Sequence, residues 1–186
     1  MSGLQRLLRA LRFTLAIWVL TVVVITIPML GLAALLAPQQ AEGSLVRRDG
    51  VVVGSSLIGQ PFRSSRHLQG RPSGIPHLAP ADPALQARVA ARADQWRRNG
   101  LIAPAADLLV DSASGVDPHL SLEGARQQFP RLARERGLSE VQLERLLQQC
   151  LEGPWRLRAI EPVVNVLRFN LALESLAAAR NRGGIG

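Results

Sequence analysis

The chain contains no lysine and no tyrosine, and its single cysteine is Cys150. All 22 basic residues are therefore arginines, which excludes a phosphate-binding loop of the Gly-Lys-Ser/Thr type and a Schiff-base lysine. One cysteine forms neither an internal disulfide nor a cysteine-based metal site. The three histidines, His67, His77 and His119, lie far apart without ligand spacing. They are predicted to be solvated or loop residues, and no metal site is expected.

Aromatic residues are scarce as well, at 4% of 186 residues. The formal net charge of +8 would suit nucleic acid or anionic lipid. The arginines are scattered, however, and no run of base-stacking side chains accompanies them, so nucleic-acid binding is not expected. The sequence also lacks a Gly-x-Ser-x-Gly elbow and any other catalytic constellation. No catalytic residue is predicted.

Charge is absent from residues 13–37. As a helix with a rise of about 1.5 Å per residue, this run is about 37 Å long, enough to cross a hydrocarbon core of about 30 Å. Arg6, Arg9 and Arg12 precede it. The positive-inside rule therefore predicts residues 1–12 in the cytoplasm and residues 38–186 as a soluble, outward-facing domain. The alternative is a cleaved signal peptide, whose apolar core of about 7 to 15 residues is shorter.

For residues 38–186, the sequence predicts one compact α+β domain with a small sheet. Asp49-Gly50 is a favoured pair for a tight hairpin turn, and β-prone runs flank it. Apolar runs at residues 106–110 and 162–169 are typical of strands. The sheet is therefore predicted to contain the hairpin near Val46 and Val52, the run at Leu108 and the strand at Val164.

Four helices are predicted to cover this sheet. The first begins at Asp82-Pro83 and ends at Gly100, and the second runs from Ser121 to Arg136, bent or split at Pro130 and stopped by Gly137. A capping box at residues 139–142 begins the third, and residues 170–179 form the fourth. The third helix is predicted to turn four apolar side chains inward: Val141, Leu143, Leu146 and Leu147.

The loop Ser112-Ala-Ser-Gly-Val-Asp-Pro118 carries small residues and hydroxyls before a predicted helix. Its backbone N–H groups and the helix N-terminus can hold an anion. The alternative, favoured by the pattern alone, is a connection whose serines and aspartate satisfy their own backbone. Arg71, in Gly-Arg-Pro-Ser, can likewise reach a partner carboxylate or phosphate, or serve as an ordinary loop arginine.

Several blocks, taken together with the single span, carry a resemblance to a known family. They are Gly-Ser-Leu-Val at 43–46, Gly-Ser-Ser-Leu-Ile-Gly-Gln-Pro-Phe at 54–62, Gly-Arg-Pro-Ser at 70–73, the block at 112–118, Gln-Phe-Pro-Arg-Leu-Ala at 128–133, Pro-Val-Val-Asn-Val-Leu at 162–167 and Asn-Leu-Ala-Leu at 170–173. In this order the chain resembles the C subunit of the bacterial Kdp potassium-transporting ATPase. Each block alone is weak, and together they make the resemblance specific.

The resemblance implies a single-pass subunit of a plasma-membrane complex that imports potassium. Its implied partners are a channel-like potassium-binding subunit, a P-type ATPase subunit, a small stabilising subunit and the lipid bilayer. The chain itself is implied to be non-catalytic, to support assembly and to act as a catalytic chaperone that promotes ATP use by the ATPase subunit. No covalently bound cofactor is implied. Any contact with ATP is implied to occur through the complex, and potassium is the ion that the complex transports.

The resemblance also implies site residues. Ligand or nucleotide contact falls to one loop and the glutamine after it: Ser112, Ser114, Gly115, Asp117 and Gln128, with Gln127 as the alternative glutamine. Gln60 and Arg71 are the candidates for a subunit interface.

Two inferences conflict, because ATP is cytosolic and the charge bias places the Ser112 loop outside. Either the orientation is reversed or the nucleotide role is indirect, and the charge bias favours the indirect role, in which the domain caps the outer face of the potassium-binding subunit. Two other functions remain open on the residues alone. One is a free-standing membrane-anchored outer-face enzyme with Asp111 or Asp117 as base, and the other is a solute-binding or structural module.

Overall fold

The computed structural model describes residues 3–73, 78–153 and 161–183. The chain divides into two compact units, Met1–Leu45 and Val46–Gly186. The first contains a long apolar helix, and the second is a mixed domain of short strands and several helices, which confirms the predicted α+β class. His77 lies outside the described residues.

The first unit is almost entirely helical. It consists of α1 (Gly3–Thr21), a π-helical segment (Val22–Thr26), α2 (Ile27–Leu36) and the short α3 (Pro38–Ala41). By length and composition, Gly3–Leu36 is the one helix among the described residues that can cross a membrane. It begins earlier than the uncharged run, so most of the arginine-bearing N-terminal segment is also helical.

The π-helical segment explains how Pro28 fits inside this helix. Proline has no N–H group, and its ring clashes with the carbonyl four residues earlier. The turn before Pro28 is widened, because the N–H of Ile27 donates to the carbonyl of Val22, five residues back. Such a π-bulge absorbs local strain while the helix continues on both sides. The proline therefore alters one turn of the helix and does not end it.

The predicted hairpin is present at the start of the second unit. Strand β1 (Leu45–Arg48) pairs with β2 (Val51–Ser55) in a two-stranded sheet. Asp49 and Gly50 have φ angles of 51° and 79°. Two consecutive positive φ angles are the signature of a type I′ turn, whose twist matches that of the strands it joins. The turn residues thus act as the sequence indicates.

The main sheet differs from the prediction. It has three antiparallel strands in the order β3 (His119–Ser121), β5 (Val163–Asn165) and β4 (Leu151–Glu152). Val164 is central, opposite Leu120 on one side and Leu151 on the other. The prediction of one sheet shared with the hairpin and Leu108 is therefore wrong. Strands β3 and β4 are too short to show the alternation by which a strand is recognised.

Residues 106–110 form a helix where a strand was predicted. Ala106–Leu109 is the single turn α5, and Leu108 is buried. Helix α4 (Pro83–Arg98) supplies side-chain partners for its carbonyls: Trp96 Nε1 donates to Leu108 O at 3.3 Å, and Arg92 Nη1 to Leu109 O at 2.8 Å. These carbonyls accept hydrogen bonds from side chains, whereas those of a strand would accept them from a neighbouring strand. The prediction of a strand rested on the apolar composition of the run, which a buried helical turn shares.

The helix ends follow the sequence signals closely. Asp82 accepts a hydrogen bond from Ala84 N at the start of α4, and Ser139 and Gln142 form the capping box of α8 (Glu140–Gln149). The predicted second helix is split into α6 (Leu122–Arg126) and α7 (Phe129–Arg136), with Pro130 in the first turn of α7. Gly137 ends α7 in the left-handed conformation that L residues with a side chain rarely adopt.

The last helix begins before the predicted Asn170. Helix α9 spans Val166–Gly183, and Asn165 precedes it. Asn165 is fully buried; its Oδ1 accepts from Arg168 N at 3.2 Å, as an N-cap side chain does, and its Nδ2 donates to Ser56 O at 2.8 Å. The strand β5 is correspondingly shorter than predicted. A single asparagine thus ends the strand and begins the helix.

Helices α4 through α9 and the three-stranded sheet share one hydrophobic core. Its fully buried side chains are Leu68, Leu108, Leu120, Ala125, Leu132, Leu143, Leu147, Val164, Phe169 and Leu173. Helix α8 contributes Leu143, Leu146 and Leu147, as predicted, but Val141 is 61% exposed. Val141 and Leu143 are two residues apart, which places them on different faces of a helix.

This orientation predicts a large loss of stability for one substitution on α8 and almost none for another. Leu143→Ala should lower the free energy of unfolding by about 2 to 5 kcal/mol, because it empties a buried site. Val141→Ala should change it by less than about 0.5 kcal/mol. Urea unfolding of the full-length chain in detergent measures both. Equal losses would mean that Val141 faces the core.

Candidate functional site

The Ser112 loop, defined here as residues 111–118, connects α5 to β3. Ser112 is 3% exposed, and its hydroxyl accepts the N–H of Asp117 at 3.3 Å. Ser114 accepts the N–H of Val116 at 3.3 Å, and Gly115 takes a φ of 72°. The helix expected after the loop begins only at Leu122, after strand β3. The hydroxyls thus bond to the loop's own backbone, and no helix N-terminus directly follows.

Asp117 ties this loop to Arg71 and to His119. Its Oδ2 lies 3.4 Å from Arg71 Nη1, and its Oδ1 accepts from the N–H of His119 at 3.0 Å and lies 3.1 Å from the ring Nδ1. The other ring nitrogen of His119 lies 3.0 Å from Glu152 Oε2, and Glu152 Oε1 lies 2.8 Å from Arg168 Nη1. These contacts therefore form one chain of alternating basic and acidic residues from Arg71 to Arg168.

His119 is consequently not the solvated residue that was predicted. It is the first residue of β3, and each of its ring nitrogens faces a carboxylate oxygen. An ionised carboxylate only accepts, so both contacts are hydrogen bonds when the ring carries both protons. His67 does lie in a loop, where its ring is 5.5 Å from that of Phe62 and its Nε2 is 2.9 Å from Glu174 Oε1.

Gln60 belongs to a segment packed directly on the Ser112 loop. The N–H of its neighbour Gly59 donates to Val116 O at 2.7 Å, and a Cβ on Gly59 would lie 2.5 Å from Asp117 O. The amide of Gln60 fills the space beside Gly54, where a Cβ would lie 1.9 Å from its Nε2. A side chain at position 59 would clash with backbone, and one at position 54 would displace the amide of Gln60. The structure thus brings Gln60, Arg71 and the Ser112 loop together.

Gln128 lies elsewhere and is occupied. It is 1% exposed, and its Oε1 accepts from Gln69 N at 2.9 Å and from Arg131 Nη2 at 2.7 Å. Its Nε2 donates to Gln69 O at 2.9 Å and to Gly124 O at 3.1 Å. These bonds use both amide hydrogens and both oxygen lone pairs. A ligand contact by Gln128 would require some of them to break.

Gln127, which lies beside Gln128 in the break between α6 and α7, is used in the same way. Its Oε1 accepts from Ala105 N at 2.8 Å, and its Nε2 donates to Ala103 O at 3.0 Å and to Glu123 Oε1 at 3.2 Å. The two neighbouring glutamines therefore hold two different loops. Neither glutamine makes a described hydrogen bond to the Ser112 loop.

Gln128 is part of a larger set of side chains that holds residues 65–69. Five consecutive carbonyls accept hydrogen bonds from side chains of α7, α9 and the residue before α7: Ser65 O from Arg131, Arg66 O from Arg136, His67 O from Arg131, Leu68 O from Asn170 and Gln69 O from Gln128. Asn170 Oδ1 also accepts from Leu68 N at 2.8 Å. We call residues 65–69 the side-chain-paired segment. No local sequence pattern indicates these contacts.

The two aspartates considered as catalytic bases are both engaged. The Asp111 side chain is 4% exposed; its Oδ1 is 2.7 Å from Arg92 Nη2, and its Oδ2 is 4.0 Å from Arg88 Nη1. Asp117 is shared between Arg71 and His119. Both carboxylates are therefore occupied by neighbouring side chains. Within residues 3–73, 78–153 and 161–183, no three metal donors converge.

Comparison with known proteins gives a consistent result. The model of the family described as KdpC, the c chain of the K⁺-transporting ATPase, matches residues 7–175. The potassium-transporting ATPase KdpC subunit of Methylibium petroleiphilum is 44% identical, over 92% of this chain and 98% of that protein. The proteins of the same name from Anabaena sp. and Gloeobacter violaceus are each 39% identical, over 94% and 95% of this chain and 95% and 99% of theirs. The similarity extends through both units.

The role of Gln128 in pairing the backbone predicts a stability effect. Gln128→Leu should lower the free energy of unfolding by about 1 to 3 kcal/mol, because it leaves backbone groups of Gln69 without partners. Gln149→Leu, at an exposed position of α8, should stay within about 0.5 kcal/mol. Urea unfolding of the full-length chain compares them. Equal stability of the two variants would mean that other contacts hold the segment.

The contacts of Glu174 with His67 and Arg48 predict that stability depends on pH. His67, by hydrogen bonding, and Arg48 hold the pKa of Glu174 below its usual value. This stabilisation is present above the unfolded-state pKa and is lost as the pH falls through the lower folded-state pKa. Glu174→Gln should therefore reduce the stability lost between pH 7 and about pH 3, by at most about 1 kcal/mol since the pair is partly exposed.

The measurement is urea unfolding at both pH values for the wild type, for Glu174→Gln and for the exposed control Glu140→Gln. The control should keep the wild-type dependence on pH. If Glu174→Gln also keeps it, the contacts of Glu174 add nothing to folding.

Proposed function

The chain belongs to the KdpC family, the c chain of the K⁺-transporting ATPase, and from this membership we propose that it is a non-catalytic accessory subunit of a high-affinity, ATP-driven potassium importer. In this proposal it supports assembly and acts as a catalytic chaperone for the P-type ATPase subunit. Its further partners are a channel-like potassium-binding subunit and a small stabilising subunit. The observation that carries the proposal is the family match across residues 7–175.

We further propose that the second unit lies on the outer face of the bacterial plasma membrane. Gly3–Leu36 is long and apolar enough to serve as the anchor. Arg6, Arg9 and Arg12 all precede its uncharged part, whereas Glu42 and Asp49 offset the first arginines after it. Arginine near one end of a span favours the cytoplasm for that end. The N-terminus is then cytoplasmic.

On this topology the effect on ATP use is indirect. A nucleotide would be on the other side of the membrane from the Ser112 loop. The occupied amide of Gln128 and the burial of Ser112 support the same proposal, because neither side chain offers a free group to a ligand. Ser114 is the exposed hydroxyl of the loop. We assign it and Gly115 to subunit contact, with Ser112 and Asp117 holding the loop in shape.

The proposal predicts a change in the kinetics of the complex. The complex should be purified with and without this chain, and its potassium-stimulated ATP hydrolysis measured against ATP concentration. With the chain present, the apparent KM for ATP should be lower or the yield of intact complex higher. If neither quantity depends on the chain, the accessory role is wrong.

Equilibrium dialysis of the full-length chain in detergent against ATP provides the control for an indirect effect. No saturable binding and no hydrolysis are expected. Saturable binding that Ser112→Ala weakens would instead support direct nucleotide contact by the loop. Turnover by the chain alone would support the rival enzyme.

A further inference from the structure

A cavity of about 270 Å³ lies between α4 and the two loop segments at residues 60–63 and 69–73. Its charged lining residues are all arginines, Arg63, Arg71 and Arg92. Gln60 and Gln95 add amides, and Phe62 and Trp96 add apolar surface. No acidic side chain is among the described residues that line it. The charged side chains that line the cavity are therefore all basic, and neutral hydrogen-bonding groups lie beside them.

Two of the three arginines, Arg92 and Arg71, differ in how well they are paired. Arg92 is fully engaged, with Asp111 Oδ1 at 2.7 Å and Leu109 O at 2.8 Å. Arg71 reaches only Asp117 Oδ2, at 3.4 Å, and the other oxygen of that carboxylate is occupied by His119. The Nε of Arg71 is buried and has no hydrogen-bond partner among the residues that the structure describes.

A buried donor without a partner is costly, at about 1 to 3 kcal/mol and more for a charged group. Among ligand groups, a carboxylate suits the accessible part of Arg71 best, because its two oxygens match the planar fork of a guanidinium. The volume of the cavity also bears on the size of the ligand that carries the carboxylate. At about 270 Å³ it lies below the range of about 300 to 1,000 Å³ that holds drug-sized ligands. This volume is sufficient for an acidic side chain or a small free acid.

We propose that this cavity is a receptor site for one carboxylate group, bound by the guanidinium of Arg71, with Phe62 and Trp96 packing against the methylene groups behind the carboxylate. The carboxylate comes either from an acidic side chain of another subunit of the complex or from a small free dicarboxylic acid. The first source rests on the proposed function; the site itself does not. Through its contact with Asp117, Arg71 also connects this cavity to the Ser112 loop.

The test uses two measurements on the full-length chain. In the first, the chain in detergent is titrated with sodium glutarate by isothermal titration calorimetry, with sodium chloride at matched ionic strength as the reference. In the second, the complex is purified through a tag on this chain, and the amount of ATPase subunit retained is measured. The variants are Arg71→Gln, Arg71→Lys and the control Arg145→Gln, an exposed position on α8.

Arg71→Gln should reduce retention of the ATPase subunit or the affinity for glutarate at least tenfold. Arg71→Lys should give an intermediate loss, because it keeps the charge and loses the fork. Arg145→Gln should match the wild type. Urea unfolding of each variant in detergent separates a loss of binding from a loss of folding.

Lost retention supports a side chain of a partner subunit as the source of the carboxylate. Unchanged retention with Arg71-dependent glutarate binding supports a small free acid. Unchanged retention together with no saturable glutarate binding overturns the proposal. If the wild-type chain retains no ATPase subunit, the proposed function fails, and the glutarate titration alone decides the fate of the site.

Discussion

The structure depends on how the backbone of residues 65–69 is satisfied without a neighbouring strand. The segment runs from exposed Ser65 to buried Leu68, and amide and guanidinium side chains from α7, α9 and Gln128 pair its carbonyls as a neighbouring strand would elsewhere. Burial lowers the pKa of the Arg131 guanidinium, yet arginine stays charged and continues to donate. Because the segment leads directly into residues 70–73, the same contacts fix where Arg71 enters its cavity.

Features decided by adjacent residues could be predicted, and features decided by distant ones could not. Asp82, Ser139 and Gly137 act on their own turns, so the sequence shows their roles directly. Helix α5 is held by Trp96, and the start of α9 by Asn165, which also bonds to Ser56 O. No local pattern contains such partners. The prediction of the sheet failed for the same reason, since the two missed strands, β3 and β4, are defined only by pairing with β5.

The candidate site shows the same division. The motif blocks pointed to Gln60, Arg71 and the Ser112 loop, which do lie together. They also pointed to Gln128, whose amide is used to hold the backbone. A motif residue can recur in a family because the fold needs it, and one sequence does not separate that reason from ligand binding. Family membership therefore rests on the whole chain, and the role of each residue rests on its contacts.

The central claim is that the second unit faces outward and acts through contact with its partner subunits. Its most direct test is cysteine labelling of intact cells with a membrane-impermeant thiol reagent, in a Cys150→Ser background, at Ser2→Cys and Ser114→Cys. The account predicts that Ser114→Cys is labelled and Ser2→Cys is not. Labelling of Ser2→Cys alone would place the domain in the cytoplasm and contradict the claim.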